Sequence, residues 1–385
     1  MKIKTSGIVL VVVLFLLVLA VQAMASPSDV INNFALRAVR QISRMDTKYF
    51  FSPYSIVSAF GMAYAGASGD TAQEIERALG FTPDLHEQLG EFMQDITNTG
   101  CVASANRVWL DESLSLKTDY QGILYRFYNS SAETLDIQND PESACRIINS
   151  WANSRTNGKI PTLLTNLDPA ARMIITNAVY FKAQWASPFS KMKTSPEKFR
   201  DGEKVSQVPM MKKHANFQYG EFDGVKVIEI PYSGMRITML VLLPSEDRPD
   251  AMEGLSADTL KRWISELERY EVDLWLPKFR TENSFQLSEM FKALGVRKAF
   301  TDGADFSGMS SSEALKVDEV IHKTFIDIDE EKTEAAAATA IQMLKATAAR
   351  PDQTLKAEFH ADHPFMYCIM DENSGTILFI GRQTF

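Results

Sequence analysis

The run Glu330-Glu331-Lys332-Thr333-Glu334-Ala335-Ala336-Ala337-Ala338-Thr339-Ala340 constrains the chain more than any other stretch. It follows an apolar-alternating segment, residues 317–329, and precedes a polar run, residues 341–356, that has no hydrophobic period. Alanine is the best helix former, so one reading is a short Ala-rich helix. The other reading takes the stretch at period two, as a strand. Thr333, Ala335, Ala337 and Thr339 then share one face, and Glu334, Ala336, Ala338 and Ala340 the other. A face of small residues can slide between two existing strands with little overpacking. Such a segment can be an exposed loop in one state and a sheet strand in another.

The rest of the chain supplies strands and helices for it to meet. Residues 27–43 carry apolar side chains at helical spacing. Tyr49-Phe50-Phe51 is a short strand, and Ser52-Pro53 starts a helix with serine as N-cap and proline at the first position. Short helices are expected over 72–79, closed by Gly80, and over 85–96, 120–128, 142–154 and 287–294. Strands are expected over 102–110, 173–181 and 272–276, on either side of the turn Pro231-Tyr232-Ser233-Gly234, and as a hairpin of 364–370 with 376–380. Residues 173–181 are mostly apolar, as in a strand covered on both faces. Helices lead and strands follow with no linker or repeat, which predicts an α+β fold in one domain over residues 26–385.

Residues 1–25 read as a secretory signal. Lys2 and Lys4 precede an unbroken apolar run over residues 8–21, and Ala23-Met24-Ala25 forms a cleavage site. The rival is an uncleaved anchor, for which fourteen apolar residues are short. The expected product is secreted, extracellular and not membrane-bound. Loss of Lys2 and Lys4 takes the net charge from −9 to −11, which argues against nucleic acid as a partner. Cys101, Cys145 and Cys368 are too few for a disulfide framework, so a core must hold the fold. Asn129-Ser130-Ser131 is a glycosylation sequon that chance also supplies. No G-x-S-x-G, H-E-x-x-H, P-loop or G-x-G-x-x-G is present, so neither an enzyme nor a bound cofactor or metal is expected.

The run from His322 to Ala337 resembles the hinge of the serpin family, whose loop inserts into a sheet as an added strand. Further stretches match in family order: residues 49–56; Gly66-Ala67 with Asp70-Thr71; Trp151-Ala152-Asn153 with residues 156–160; residues 176–182 with Trp185 and Phe189; Val208-Pro209-Met210-Met211; Asp305-Phe306-Ser307-Gly308; and His363-Pro364-Phe365. The resemblance implies a large central mixed sheet, further sheets, about eight or nine helices, and an exposed reactive-centre loop over about residues 330–358. It implies that Ser52, Ser55, Asn177 and His322 form a polar shutter under that sheet. At the breach, where the loop enters, it implies a Trp185 plug and a Lys298–Glu330 ion pair.

The implied activity is suicide inhibition of a serine protease in a covalent one-to-one complex, by a monomer that supplies no catalytic residue. The hinge comprises Glu330, Glu331, Lys332, Thr333, Glu334, Ala335, Ala336, Ala337 and Ala338. Lys332 stands where inhibitory members usually have glycine. The family spacing of seventeen residues, with Glu330 as the first, ends at Ala346 and places the reactive bond at Ala346-Thr347. Lys345-Ala346 is the neighbouring choice. A non-inhibitory carrier, storage protein or chaperone is the alternative. No basic patch resembles a heparin site, and Lys191, Lys193, Lys212 and Lys213 read as scattered solvated charges.

Overall fold

The computed structural model describes residues 26–310, 315–333 and 355–385. Its centre is a five-stranded mixed sheet in the order Phe279–Gln286, Glu319–Ile328, Met173–Phe181, Val102–Asp111, Ala132–Leu135. Met173–Phe181 is buried at every position, which is why its sequence is apolar without alternation. It pairs in parallel with Glu319–Ile328, from Glu319 opposite Ile174 to Phe325 opposite Tyr180. Among the described residues that pairing ends there, while Ile326, Asp327 and Ile328 continue the ladder with the outer strand, Phe279–Gln286.

A second sheet has nine strands, eight of them in one path from Tyr49–Phe51 to Lys356–His360. Eight α-helices are described, six of them before residue 156. The helix Pro53–Tyr64 is buried along its whole length, as its apolar composition on every face requires. It runs beneath the central sheet and packs against both Val102–Asp111 and Met173–Phe181. The opposite face carries a smaller apolar cluster. There Ala144, Ile148 and Ala152 of the helix Pro141–Arg155 cover Trp109, Ile174, Ala178 and Ile321 of the sheet.

The α+β expectation holds, with differences in detail. The strand expected at 272–276 runs over Glu268–Pro277. Lys204–Phe222 is a strand of nineteen residues that hydrophobic patterning does not reveal, because lysines, Pro209 and His214 interrupt its apolar positions. The helix Ala257–Ser265 and the strand Phe279–Gln286 were likewise not expected. The three cysteines are free thiols. No described helix is long and apolar enough to cross a membrane.

Two of the short motifs are explained by one contact. Gly66 and Gly308 meet backbone to backbone, with the Gly308 amide donating to the Gly66 carbonyl at 3.1 Å. Ser68 N–H donates to Asp305 O at 2.9 Å, and Asp305 N–H to the Thr71 hydroxyl at 2.9 Å. A Cβ on Gly308 would lie 2.7 Å from that Gly66 oxygen. Gly308→Ala is therefore expected to destabilise the protein by about 1–3 kcal/mol through forced backbone displacement. A change in urea midpoint of less than the equivalent of about 0.5 kcal/mol would show that this approach is not tight.

Candidate functional site

Beneath the centre of the five-stranded sheet lies a cluster of polar side chains. Ser52, Ser55, Asn177 and His322 are all within one per cent of complete burial. The capping geometry of the buried helix brings the two serines together: the Ser55 amide donates to Ser52 Oγ at 3.1 Å, and Ser52 Oγ–H donates to Leu378 O at 2.6 Å. Parallel register sets Asn177 directly opposite His322. The Ser52 amide donates to His322 Nε2 at 3.1 Å, so that nitrogen is unprotonated and Nδ1–H donates to Asn177 Oδ1. Asn177 Nδ2 in turn donates to Ser55 O at 3.1 Å and to Asn106 Oδ1. Ser55 Oγ also lies 2.8 Å from Ser104 Oγ. The four shutter residues are thus brought together, and Asn106 and Ser104 complete the set. The place of Asn106 on Val102–Asp111, buried directly opposite Asn177, is the signal that could have found it, with Ser104 two residues before it on the same face.

Burial pushes the His322 imidazole down to about 3, so it is neutral at ordinary pH. Among the described residues no carboxylate offsets that burial, and a proton on Nε2 would oppose the Ser52 amide.

At the top of the same two strands is the breach. Trp185 is 2 % exposed and stacks on Tyr232, with ring centroids 4.5 Å apart. Its indole N–H donates to Asp329 O at 2.8 Å, and its amide lies 3.4 Å from Glu331 O. The Phe189 amide donates to Glu330 O at 2.7 Å. Lys332 and Thr333 form a two-residue strand, antiparallel to Ala183–Gln184, with Lys332 opposite Gln184 and Thr333 opposite Ala183. The period-two reading therefore holds for these two positions. Glu334, Ala335, Ala336, Ala337, Ala338, Lys345, Ala346 and Thr347 lie outside the described residues.

The expected Lys298–Glu330 ion pair is absent. Glu330, 4 % exposed, receives Lys278 Nζ at 2.7 Å and the Thr194 hydroxyl at 2.8 Å. Lys298 instead reaches Asp70 at 2.5 Å, on the helix Gly69–Leu79. Strand register explains the correction. Phe279 pairs with Ile328, so the residue before Phe279 arrives beside the segment leaving Ile328. Burial alone would raise the Glu330 carboxyl, but the hydrogen bonds from Lys278 and Thr194 outweigh it and hold it below the usual range. Two lysines read as solvated also belong here. Lys191 pairs with Glu331 at 2.6 Å, and Lys213 bonds the Ser187 and Pro188 carbonyls beneath Phe189, burial lowering its pKa to about 8.

This arrangement is a closed sheet with one open end. The polar cluster spans the two parallel strands, and beyond Phe325 and Tyr180 the hinge residues Lys332 and Thr333 already follow strand geometry. The sequence pattern of the serpin (serine protease inhibitor) family matches residues 29–384. The chain belongs to the serpin family. It is 38 % identical to an uncharacterized serpin-like protein of Thermococcus kodakarensis, over 92 % of this chain and 84 % of that one. It is 35 % identical to the leukocyte elastase inhibitor of Equus caballus, over 91 % and 97 % of the two chains. Among solved structures, human thyroxine-binding globulin aligns with a TM-score of 0.84 at 28 % identity, over 93 % of this chain and 98 % of that one.

Two outcomes test this geometry. The depressed His322 pKa means that the unfolded chain gains a proton below about 6.5 while the folded one does not. Stability from this group is fully present above that pH and falls as the pH drops toward 3. Between pH 7 and 5 the loss is about 2 kcal/mol, read from urea midpoints, and His322→Asn should remove that slope. Lys278→Ala should cost about 1–3 kcal/mol by stripping a charged hydrogen bond from buried Glu330, whereas Lys298→Ala should leave the hinge unaffected. Hydrogen exchange at the Phe189 amide reads both variants, and equal effects would reverse the assignment.

Proposed function

We propose that this serpin is a suicide inhibitor of serine endopeptidases. The observation that carries the reading is the register of the hinge. Thr333 opposite Ala183 sets an antiparallel alignment that, continued without a bulge, brings Thr339 opposite Asn177 and Met343 opposite Met173. The inserted strand would then span the full length of Met173–Phe181 and end close to Ala346. Thr333, Ala335, Ala337 and Thr339 would share one face, where their small size avoids overpacking.

In this reading the protease serine attacks the Ala346 carbonyl, expels the Thr347 amine and forms an acyl-enzyme. Lys345-Ala346 is the alternative bond. The freed hinge then enters between Met173–Phe181 and Glu319–Ile328, separating Asn177 from His322 and carrying the protease with it. Displacement of the enzyme's oxyanion hole stops hydrolysis of the acyl bond. The complex is covalent and one-to-one, the free inhibitor a monomer. Secretion after removal of residues 1–25 belongs to the same reading. The name of the leukocyte elastase inhibitor supports a protease as partner. A non-inhibitory carrier role is the second reading, favoured by Lys332 at a position where glycine would ease the chain reversal.

The test mixes the purified chain with elastase-like, trypsin-like and subtilisin-like proteases, followed by a denaturing gel and sequencing of the released peptide. A stable band at the summed mass is expected, with a new N-terminus at Thr347, or at Ala346 for the neighbouring bond. Thr333→Arg should keep the fold but lose roughly nine-tenths of that band, because insertion would bury its charge. Clean cleavage of the native chain without the band would establish a substrate and favour the carrier role.

A further inference from the structure

A cavity of about 420 Å³ opens where three connections of the nine-stranded sheet meet: the end of Ile237–Pro244, the turn before Val225–Pro231, and the link from Lys356–His360 to Phe365–Asp371. Its charged lining holds five carboxylates and two histidines against one lysine. That lysine, Lys226, donates to a backbone carbonyl, Glu358 O, at 3.1 Å. His360 is engaged with Glu197, 3.2 Å from its Nε2. His363 and two of the carboxylates remain, and they converge. A ring nitrogen of His363 and one oxygen each of Asp362 and Glu246 all lie within 4.8 Å of one another.

The ring of His363 is set for a cation. Its Nε2 lies 2.6 Å from Pro244 O. A carbonyl only accepts, so Nε2 carries a proton and Nδ1 is the nitrogen that meets Asp362 Oδ1, 2.9 Å away. A carboxylate only accepts as well, so what stands between it and Nδ1 is a second proton or a metal ion. A histidine whose other N–H is held by a backbone carbonyl is the usual arrangement of a metal ligand. The backbone beside it is fixed too: the Arg200 amide donates to Asp362 O at 2.7 Å, and the Asp362 amide to His360 O at 2.9 Å. The side chains of Asp362 and His363 are mostly buried, whereas that of Glu246 is exposed and can turn inward. Among the described residues the competing cation is Arg200. Its Nη1 stands 3.5 Å from Glu246 and 3.6 Å from Asp362, longer than a charged hydrogen bond usually is.

We propose that Glu246, Asp362 and His363 form a binding site for a divalent transition-metal ion of the zinc class. One imidazole with two carboxylates suits such an ion, whereas calcium and magnesium favour oxygen alone. Water from the cavity completes a four-coordinate shell. The ion takes the place of the proton between Nδ1 and Asp362, and that proton leaves to solvent. Bound there, the ion clips the link that follows Lys356–His360 to the end of Ile237–Pro244. A search for short motifs misses the site, because His363 stands 119 positions from Pro244, close to which Glu246 lies.

Calorimetric titration of the purified, untagged and chelator-treated chain with zinc chloride and with magnesium chloride tests the proposal. One zinc ion per chain is expected at micromolar concentration or below, held at least roughly tenfold more tightly than magnesium, a difference of about 1.4 kcal/mol. Glu246→Gln, at an exposed position, should keep the fold and weaken zinc by at least the same factor, and Asp362→Asn should do likewise. Arg200→Gln removes the competing charge and should tighten zinc severalfold. His214→Gln, at the exposed histidine between Glu271 and Asp273, should change nothing. No zinc binding at submillimolar concentration would overturn the proposal. So would equal affinity for magnesium, zinc binding unchanged in Glu246→Gln and Asp362→Asn, or binding lost in His214→Gln.

Discussion

The hydrogen bond between Asn177 and His322 joins the two central strands side chain to side chain at the middle of their ladder. It lies in a parallel pair, under a buried helix, out of reach of water. Each partner is fixed by a third group: the ring by the Ser52 amide, the carboxamide by Ser55 and Asn106. A buried network of this kind is stable only when every member is satisfied. A strand arriving between Met173–Phe181 and Glu319–Ile328 must supply new partners to each of these groups or leave them orphaned. In the proposed inserted state Thr339 would stand opposite Asn177 and offer a hydroxyl for that purpose, while Ala335 and Ala337 would offer none. The alternation of small apolar and small polar residues in the hinge is thus matched to the chemistry of the strand it would meet.

The two faces of the sheet differ in how they would respond to a sixth strand. On one side the helix Pro53–Tyr64 is locked into the core through apolar contacts all round, and its N-terminus belongs to the shutter. On the other side the helix Pro141–Arg155 sits over a separate, smaller cluster. Its attachment includes Asn149, which bonds Leu163 and Leu164 of the following segment, and Trp151 edge-on to Trp109 at 5.4 Å. Widening of the sheet therefore falls on the small cluster, where fewer buried contacts must be remade.

Much of this was legible in the sequence. Residues 173–181 show themselves as a doubly buried strand by unbroken apolar character, and the strand before the hinge by its alternation. The shutter residues follow from resemblance, since no pattern of spacing links Ser52 to His322 across 270 positions. The breach ion pair was misassigned for an equally physical reason. Lys278 owes its place to the strand Phe279–Gln286, whose buried Phe279, Thr281 and Phe285 alternate with exposed residues, a readable but overlooked period-two signal.

The short connection between Ile328 and Lys332 has a kinetic consequence. Chain closure is cheapest for near neighbours in sequence, and its entropy grows with the length of the loop closed. Here the strand that forms one wall of the gap is followed almost at once by the segment that would fill it, and the first pairs with Ala183–Gln184 are already in place. Every later pair would form beside one just made, as in a zipper, with no long-range search. The time needed is then governed by the parting of the strands rather than by the finding of partners. In the proposed mechanism it is this parting of strands that would have to outrun hydrolysis of the acyl ester.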